Sequence, residues 1–143
     1  MAPDKSPSDD VTVDEELLRR VPPTWWPSQD APSPVSAFRP RAPNRKRPGD
    51  QGDVDGLSVS RQIFTSAETA SNHQGKRYHV VSLLAKTIRE GGVVSIVPKP
   101  LLNDLGHCVL PEINITDYES DKKDVIELQA ERLRNAATVV VRA

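Results

Sequence analysis

Apolar and polar positions settle into a regular pattern from Val54 onward. Leu57, Val59 and Ile63 are interleaved with Ser58, Ser60 and Gln62, a period of two that predicts a strand with one face on a core. Thr65, with Glu68 three positions on, forms a capping box and predicts a short helix that ends near His73 and is closed by Gly75. Residues 78–82 are rich in β-formers and lead into 83–90, where Leu84, Thr87 and Ile88 share a helical face. Gly91 and Gly92 supply the exit, and 93–97 predicts a strand stopped by Pro98; paired in parallel, the two strands would need a right-handed crossover. Residues 107–110 read as a short strand, with 113–115 a candidate extension. Between 122 and about 137, Val125, Ile126, Leu128, Leu133, Ala136 and Ala137 recur at helical spacing behind a capping Asp121, and 138–141 reads as a last strand.

Upstream the pattern is different. Ten of the 13 prolines lie at or before Pro48, and that density of fixed φ angles and missing amide donors predicts a mostly irregular N-terminal arm over 1–52. Within it, 14–20 has acidic residues first and arginines last, which suits a short helix stopped by Pro22 and Pro23. The expected fold is α+β: a proline-rich arm over 1–52, and a globular domain over 53–143 with a small mixed sheet and one long helix on one face.

Trp25, Trp26 and Phe38 interrupt the arm. Large rings are costly to leave in water, so the arm is expected to dock, either on its own domain or on another chain. This makes Trp25, Trp26 and Phe38 the candidate partner-binding residues. Arg39, Arg41, Arg45, Lys46 and Arg47 follow within nine residues, a run that fits weak binding to phosphates or a solvated linker.

Across the 143 residues the 19 basic and 20 acidic side chains nearly cancel, so no overall field draws the molecule to nucleic acid or to an acidic membrane. No apolar run approaches the roughly 20 residues of a membrane span, and the polar, acidic start does not read as a signal peptide; a cytoplasmic protein is expected. Cys108 is the single cysteine, which excludes an intramolecular disulfide. His73, His79 and His107 show no metal-ligand spacing, and the usual dinucleotide, P-loop, serine-hydrolase and zinc-protease motifs are absent, so neither metal nor cofactor is expected.

The weak catalytic candidates are His79, Arg61 and His107. His107 and Cys108 are neighbours, but adjacent side chains on a strand face opposite sides, which leaves Cys108 as a core residue. Ser58 and Ser60, with Arg39 or Arg41 upstream and Glu112 or Glu119 downstream, are loosely similar to the arginine, Ser-x-Ser, glutamate pattern of ADP-ribosyltransferases.

The blocks Leu17, Leu18, Arg19, Arg20 with Pro22, then Ser36, Ala37, Phe38, Arg39, Pro40, then Asp55 to Val59 with Arg61, and Gly106 with His107 resemble a family of small uncharacterised bacterial proteins with no established activity. The resemblance spans about residues 17–112 and implies that arm and domain form one unit. The leading expectation is a non-enzymatic accessory subunit that binds another protein. The alternatives are a small enzyme or toxin acting on a nucleotide or RNA, and weak nucleic-acid binding through 39–47.

Overall fold

Leu17 and Leu18 decide the architecture. Neighbours on a strand point to opposite faces, and both are buried, so their strand is covered on both sides. In the computed structural model, which describes residues 5–26 and 33–143, this is β1 (Glu16–Val21). The arm's features at 1–4 and 27–32 lie outside the described residues. After β1 come β2 (Leu57–Arg61), α1 (Ala67–Ser71), the hairpin strands β3 (Asn72–His73) and β4 (Lys76–Arg77), β5 (His79–Leu84) and α2 (Ala85–Ile88). Then follow β6 (Val97–Pro98), β7 (His107–Leu110), α3 (Ile115–Tyr118), α4 (Lys123–Ala136) and β8 (Thr138–Val141).

The class is α+β. Six strands form one sheet in the order β6-β7-β2-β1-β5-β8, and every pairing is antiparallel, so the mixed sheet and the parallel crossover are not formed. The helix expected over 14–20 is replaced by β1. A helix of two turns is marginal in water, whereas β1 pairs with β2 on one edge and along its whole length with β5 on the other. Extended, Leu17 and Val21 enter the larger core and Leu18 joins Val80 and Ala70 in a smaller one; a helix would have put both leucines near one side.

The larger core lies between the sheet and α4. Leu17, Leu57, Val81, Leu83, Cys108 and Leu110 from the sheet meet Ile126, Ala130 and Leu133 from α4. Trp26, Ala37 and Phe38 belong to the same cluster, and Trp25 packs against it. The arm therefore docks in cis, and its tryptophans help to build the core they were expected to cover.

Two ties hold it there. Arg19 donates through Nε to the Ala37 carbonyl and through Nη1 to the Ser58 carbonyl, both at 2.9 Å, and burial lowers its guanidinium to about 10. Arg39 forks onto Glu127 of α4, which also accepts from the Tyr118 hydroxyl at 2.9 Å.

Local departures have local causes. Residues 93–97 bury Val94 and Ile96, but the Ser95 amide donates to the Glu112 carboxylate at 2.7 Å, so only Val97 and Pro98 pair with β7. Ile113 packs into the core and Ile115 opens α3, so 113–115 does not extend β7. On α4, Ile126 and Leu133 point inward while Val125 and Leu128 are exposed. Gly56, at φ +129°, lies where a Cβ would sit 2.5 Å from the Leu110 carbonyl oxygen, so only glycine lets the start of β2 come this close to the end of β7.

Candidate functional site

On the face opposite α4, alternation along three adjacent strands brings polar side chains into register. Leu18 of β1 pairs with Ser60 of β2, and Ser60 pairs with His107 of β7. One pleat further along, Arg20 lies beside Ser58, which pairs with Val109. Arg20, Ser58, Ser60 and His107 thus form the floor of a groove.

Its walls come from two irregular segments. On one side α1, capped by the Ser66 hydroxyl on the Thr69 amide at 3.1 Å, leads into the β3–β4 hairpin and presents Thr69, Asn72 and His73. Gln74 and Gly75, with φ of 51° and 76°, make the tight hairpin turn. On the other side the 98–106 loop presents Leu101, Asn103 and Asp104. It is tied to β7 by the Lys99 amide on the His107 carbonyl at 2.8 Å and the His107 amide on the Asp104 carbonyl at 3.1 Å.

The cavity between these walls has a volume of about 250 Å³. Past Arg20 and Ser58, which line both, the groove continues into a second hollow of about 270 Å³ bounded by Trp25, Tyr78, Arg41 and Asp53.

The side chains of the floor are held in defined pairs. His107 Nδ1 lies 2.9 Å from the Lys99 carbonyl oxygen and Nε2 lies 3.1 Å from Ser58 Oγ. The Ser60 hydroxyl donates to Asp104 at 2.6 Å. Arg20 is half-buried and makes no hydrogen bond or ion pair among the described residues. His73 stands edge-on to Tyr78; burial, and then the charge of Arg20, lower its pKa below the ordinary 6.5, so its ring is mainly neutral at pH 7.

Of the predicted catalytic candidates only His107 is in the groove. Arg61 points to the opposite face, fully buried, with Nε and Nη2 forked onto Glu15 at 2.8 and 2.9 Å and Nη1 on the Asp9 carbonyl at 2.7 Å. His79 is buried at the other end of the sheet, its ring 4.8 Å from that of Trp26 and its Nδ1 accepting from the Ala143 amide at 2.9 Å. Both serve packing, because their positions in β2 and β5 share the face that looks to α4. Cys108 is a core residue whose thiol burial pushes up to about 11.

Partner binding by Trp26 and Phe38 is corrected in the same way: both are buried, and Trp25 is half-buried at the edge of the second hollow. The basic run is divided. Arg39 is paired with Glu127, and Arg41 with Asp50 at 2.7 Å, which leaves Arg45, Lys46 and Arg47 exposed without an ion pair among the described residues. Of the arginine, Ser-x-Ser, glutamate pattern, Arg41 borders the second hollow with Ser58 but is engaged by Asp50, Arg39 is engaged by Glu127, and Glu112 is on Ser95.

Comparison with protein-family models, with curated proteins and with solved structures finds no match to this chain. Sequence reasoning missed Arg20, Asn72 and Asp104 as site residues, and singled out Ser58 and Ser60 only as the Ser-x-Ser of a loose ADP-ribosyltransferase pattern on the polar side of a strand. The one signal was that polar side: two serines alternating with core residues mark a second face, and nothing requires that face to look into bulk water.

Proposed function

We propose that this protein binds a small, phosphate-bearing ligand of the nucleotide class in the groove across β1, β2 and β7. The observation that carries the reading is Arg20: a half-buried guanidinium with no hydrogen-bond or ion-pair partner among the described residues, set at the junction of both hollows. A partly desolvated cation gains most from an anion with fork geometry, as a phosphate has. Neutral His73, Asn72 and the two serines add hydrogen-bonding groups on one side of it, and Trp25 and Tyr78 offer ring surfaces to a base on the other. The two adjoining hollows, about 250 and 270 Å³, are of a size with one nucleotide.

Titration with adenosine monophosphate, followed by calorimetry and by thermal shift, tests this. Saturation at about a hundred times Kd is expected to stabilise the fold by about 2.7 kcal/mol. Arg20→Ala is expected to weaken binding by about tenfold or more, since hydrogen bonds to a charged group are worth about 1.5 to 3 kcal/mol. Equal affinity in the two proteins contradicts the reading.

A second reading, an accessory subunit that binds another protein, is favoured by the 98–106 loop. Leu101, Leu102 and Leu105 are all exposed there, Leu102 completely, so the arm's tryptophans are not needed for it. Leu102→Asp should then remove a co-purifying chain from the size-exclusion peak without altering the protein's own unfolding curve; a partner retained by the variant counts against the loop. Among the described residues no helix is long and apolar enough to cross a membrane.

A further inference from the structure

We propose that Ser58 is a nucleophile, activated by His107, that takes the phosphoryl group of a phosphate ester held on Arg20. This rests on the ligand reading above and adds chemistry to it.

The tautomer of His107 follows from its partners. The Lys99 carbonyl can only accept, so the ring nitrogen facing it at 2.9 Å, Nδ1, carries the proton in the neutral imidazole. Nε2 then offers a lone pair, and the Ser58 hydroxyl 3.1 Å away is the donor. A hydroxyl aimed at an imidazole, whose other nitrogen is oriented by a fixed acceptor, is the arrangement that makes serine a nucleophile. The orienting group is itself pinned, because the Lys99 amide donates to the carbonyl of His107 at 2.8 Å, so β6 and β7 hold ring and carbonyl as one unit.

The other nucleophiles nearby lack these features. Ser60 is committed to Asp104, and Cys108 lies on the opposite face with its thiol in the core. Arg20 lies beside Ser58 along the groove, which places its positive charge where the oxygens of a phosphoryl group reacting with Ser58 gain negative charge.

The step balances without a further reactant. Ser58 Oγ forms a bond to phosphorus as the ester oxygen departs; the serine proton passes to His107 Nε2 and from there to the leaving alcohol. Water then attacks phosphorus, His107 takes its proton, the Ser58 Oγ–P bond breaks, and the serine recovers its proton as inorganic phosphate leaves.

The test uses the full chain with p-nitrophenyl phosphate and bis(p-nitrophenyl) phosphate, reading released nitrophenol and, after acid quench, the mass of the peptide containing Ser58. Wild-type protein is expected to turn over at least one of the two and to show one adduct on Ser58, a phosphoryl group from the monoester or a nitrophenylphosphoryl group from the diester, whose hydrolysis releases nitrophenyl phosphate in place of inorganic phosphate. Ser58→Ala is expected to lose the adduct and about a hundredfold or more of the turnover, with His107→Gln losing a similar factor. Both variants should keep the wild-type far-ultraviolet circular dichroism spectrum and a cooperative thermal transition, which reports that they fold, and Ser58→Thr should recover part of the turnover. Wild-type protein that binds the nucleotide but gives neither adduct nor turnover overturns the nucleophile and leaves the ligand reading intact. Turnover undiminished in Ser58→Ala overturns it as well, and absence of both binding and turnover overturns the two together.

Discussion

Phe38→Ala is expected to cost about 3 to 5 kcal/mol of folding stability, the range for emptying a buried phenylalanine site. Phe38 is fully buried and ends the single turn, Val35–Phe38, that packs on α4. Its flanks cannot collapse into the space, because the Ala37 carbonyl is held by Arg19 and the Arg39 side chain by Glu127. Domains of this kind have a net stability of about 5 to 15 kcal/mol, so the variant would lose a large share of it. Urea unfolding followed by tryptophan fluorescence measures this directly, since Trp26 lies in the same core. The midpoint should fall with little change in slope. A loss under about 1 kcal/mol would mean that residues 33–40 are only lightly attached. Trp25→Ala, at the half-buried edge, should cost clearly less.

Arg61→Ala is expected to destabilise by a similar amount, about 3 to 5 kcal/mol, for a different reason. Arg61 is completely buried and Glu15 nearly so, and their fork is extended by the Asp9 carbonyl and by the Thr12 amide on Glu15 at 2.7 Å. Removing the arginine leaves a buried carboxylate with only Lys5, at 3.5 Å, to balance it. Replacing both partners by apolar residues, as in Glu15→Leu with Arg61→Met, should cost much less than the single change, because no charge is left stranded.

The pH dependence gives a second check. Burial acts to raise the Glu15 pKa, but the Arg61 and Thr12 hydrogen bonds together with the charges of Arg61 and Lys5 outweigh it and hold the group below its ordinary 4.5. A carboxylate depressed in the folded state contributes stability that is present above the unfolded value and lost as pH falls through the folded one. Wild-type stability should therefore drop below about pH 4.5. In Arg61→Ala the same carboxyl is buried without its partner and prefers its proton, so the deficit against wild type should shrink as pH falls. A deficit independent of pH would contradict the buried pair.

How much of this was legible depended on where the residues get their partners. Strands β2, β7 and β8 and helix α4 could be read directly, because a period of two or of 3.6 is imposed by one packed face, and the local sequence carries that face. The region 14–20 misled because its charge order suits a helix end, while the partners that make it a strand lie about 40 and 65 residues further along the chain, in β2 and β5. Arg61 could be singled out as unusual, since arginine is rare at an inward position of a strand, but only its contact with Glu15, 46 residues away, turns a catalytic candidate into a buried ion pair. The groove was the least legible feature. Arg20 reads as the end of a helix, and Asn72, His73 and Asp104 belong to a hairpin and a loop whose positions no periodicity encodes.

From the chain alone came the α+β class, the need to shelter Trp25, Trp26 and Phe38, and the opposite facing of His107 and Cys108. These follow from side-chain hydrophobicity and strand alternation, which act within a few residues. The tertiary fold decided that the shelter is the protein's own core, that β1 sits in the middle of the sheet, and that Arg20, Ser58 and His107 share one groove. Those outcomes depend on which strands become neighbours, and neighbour choice is set by pairing and burial summed over the whole chain.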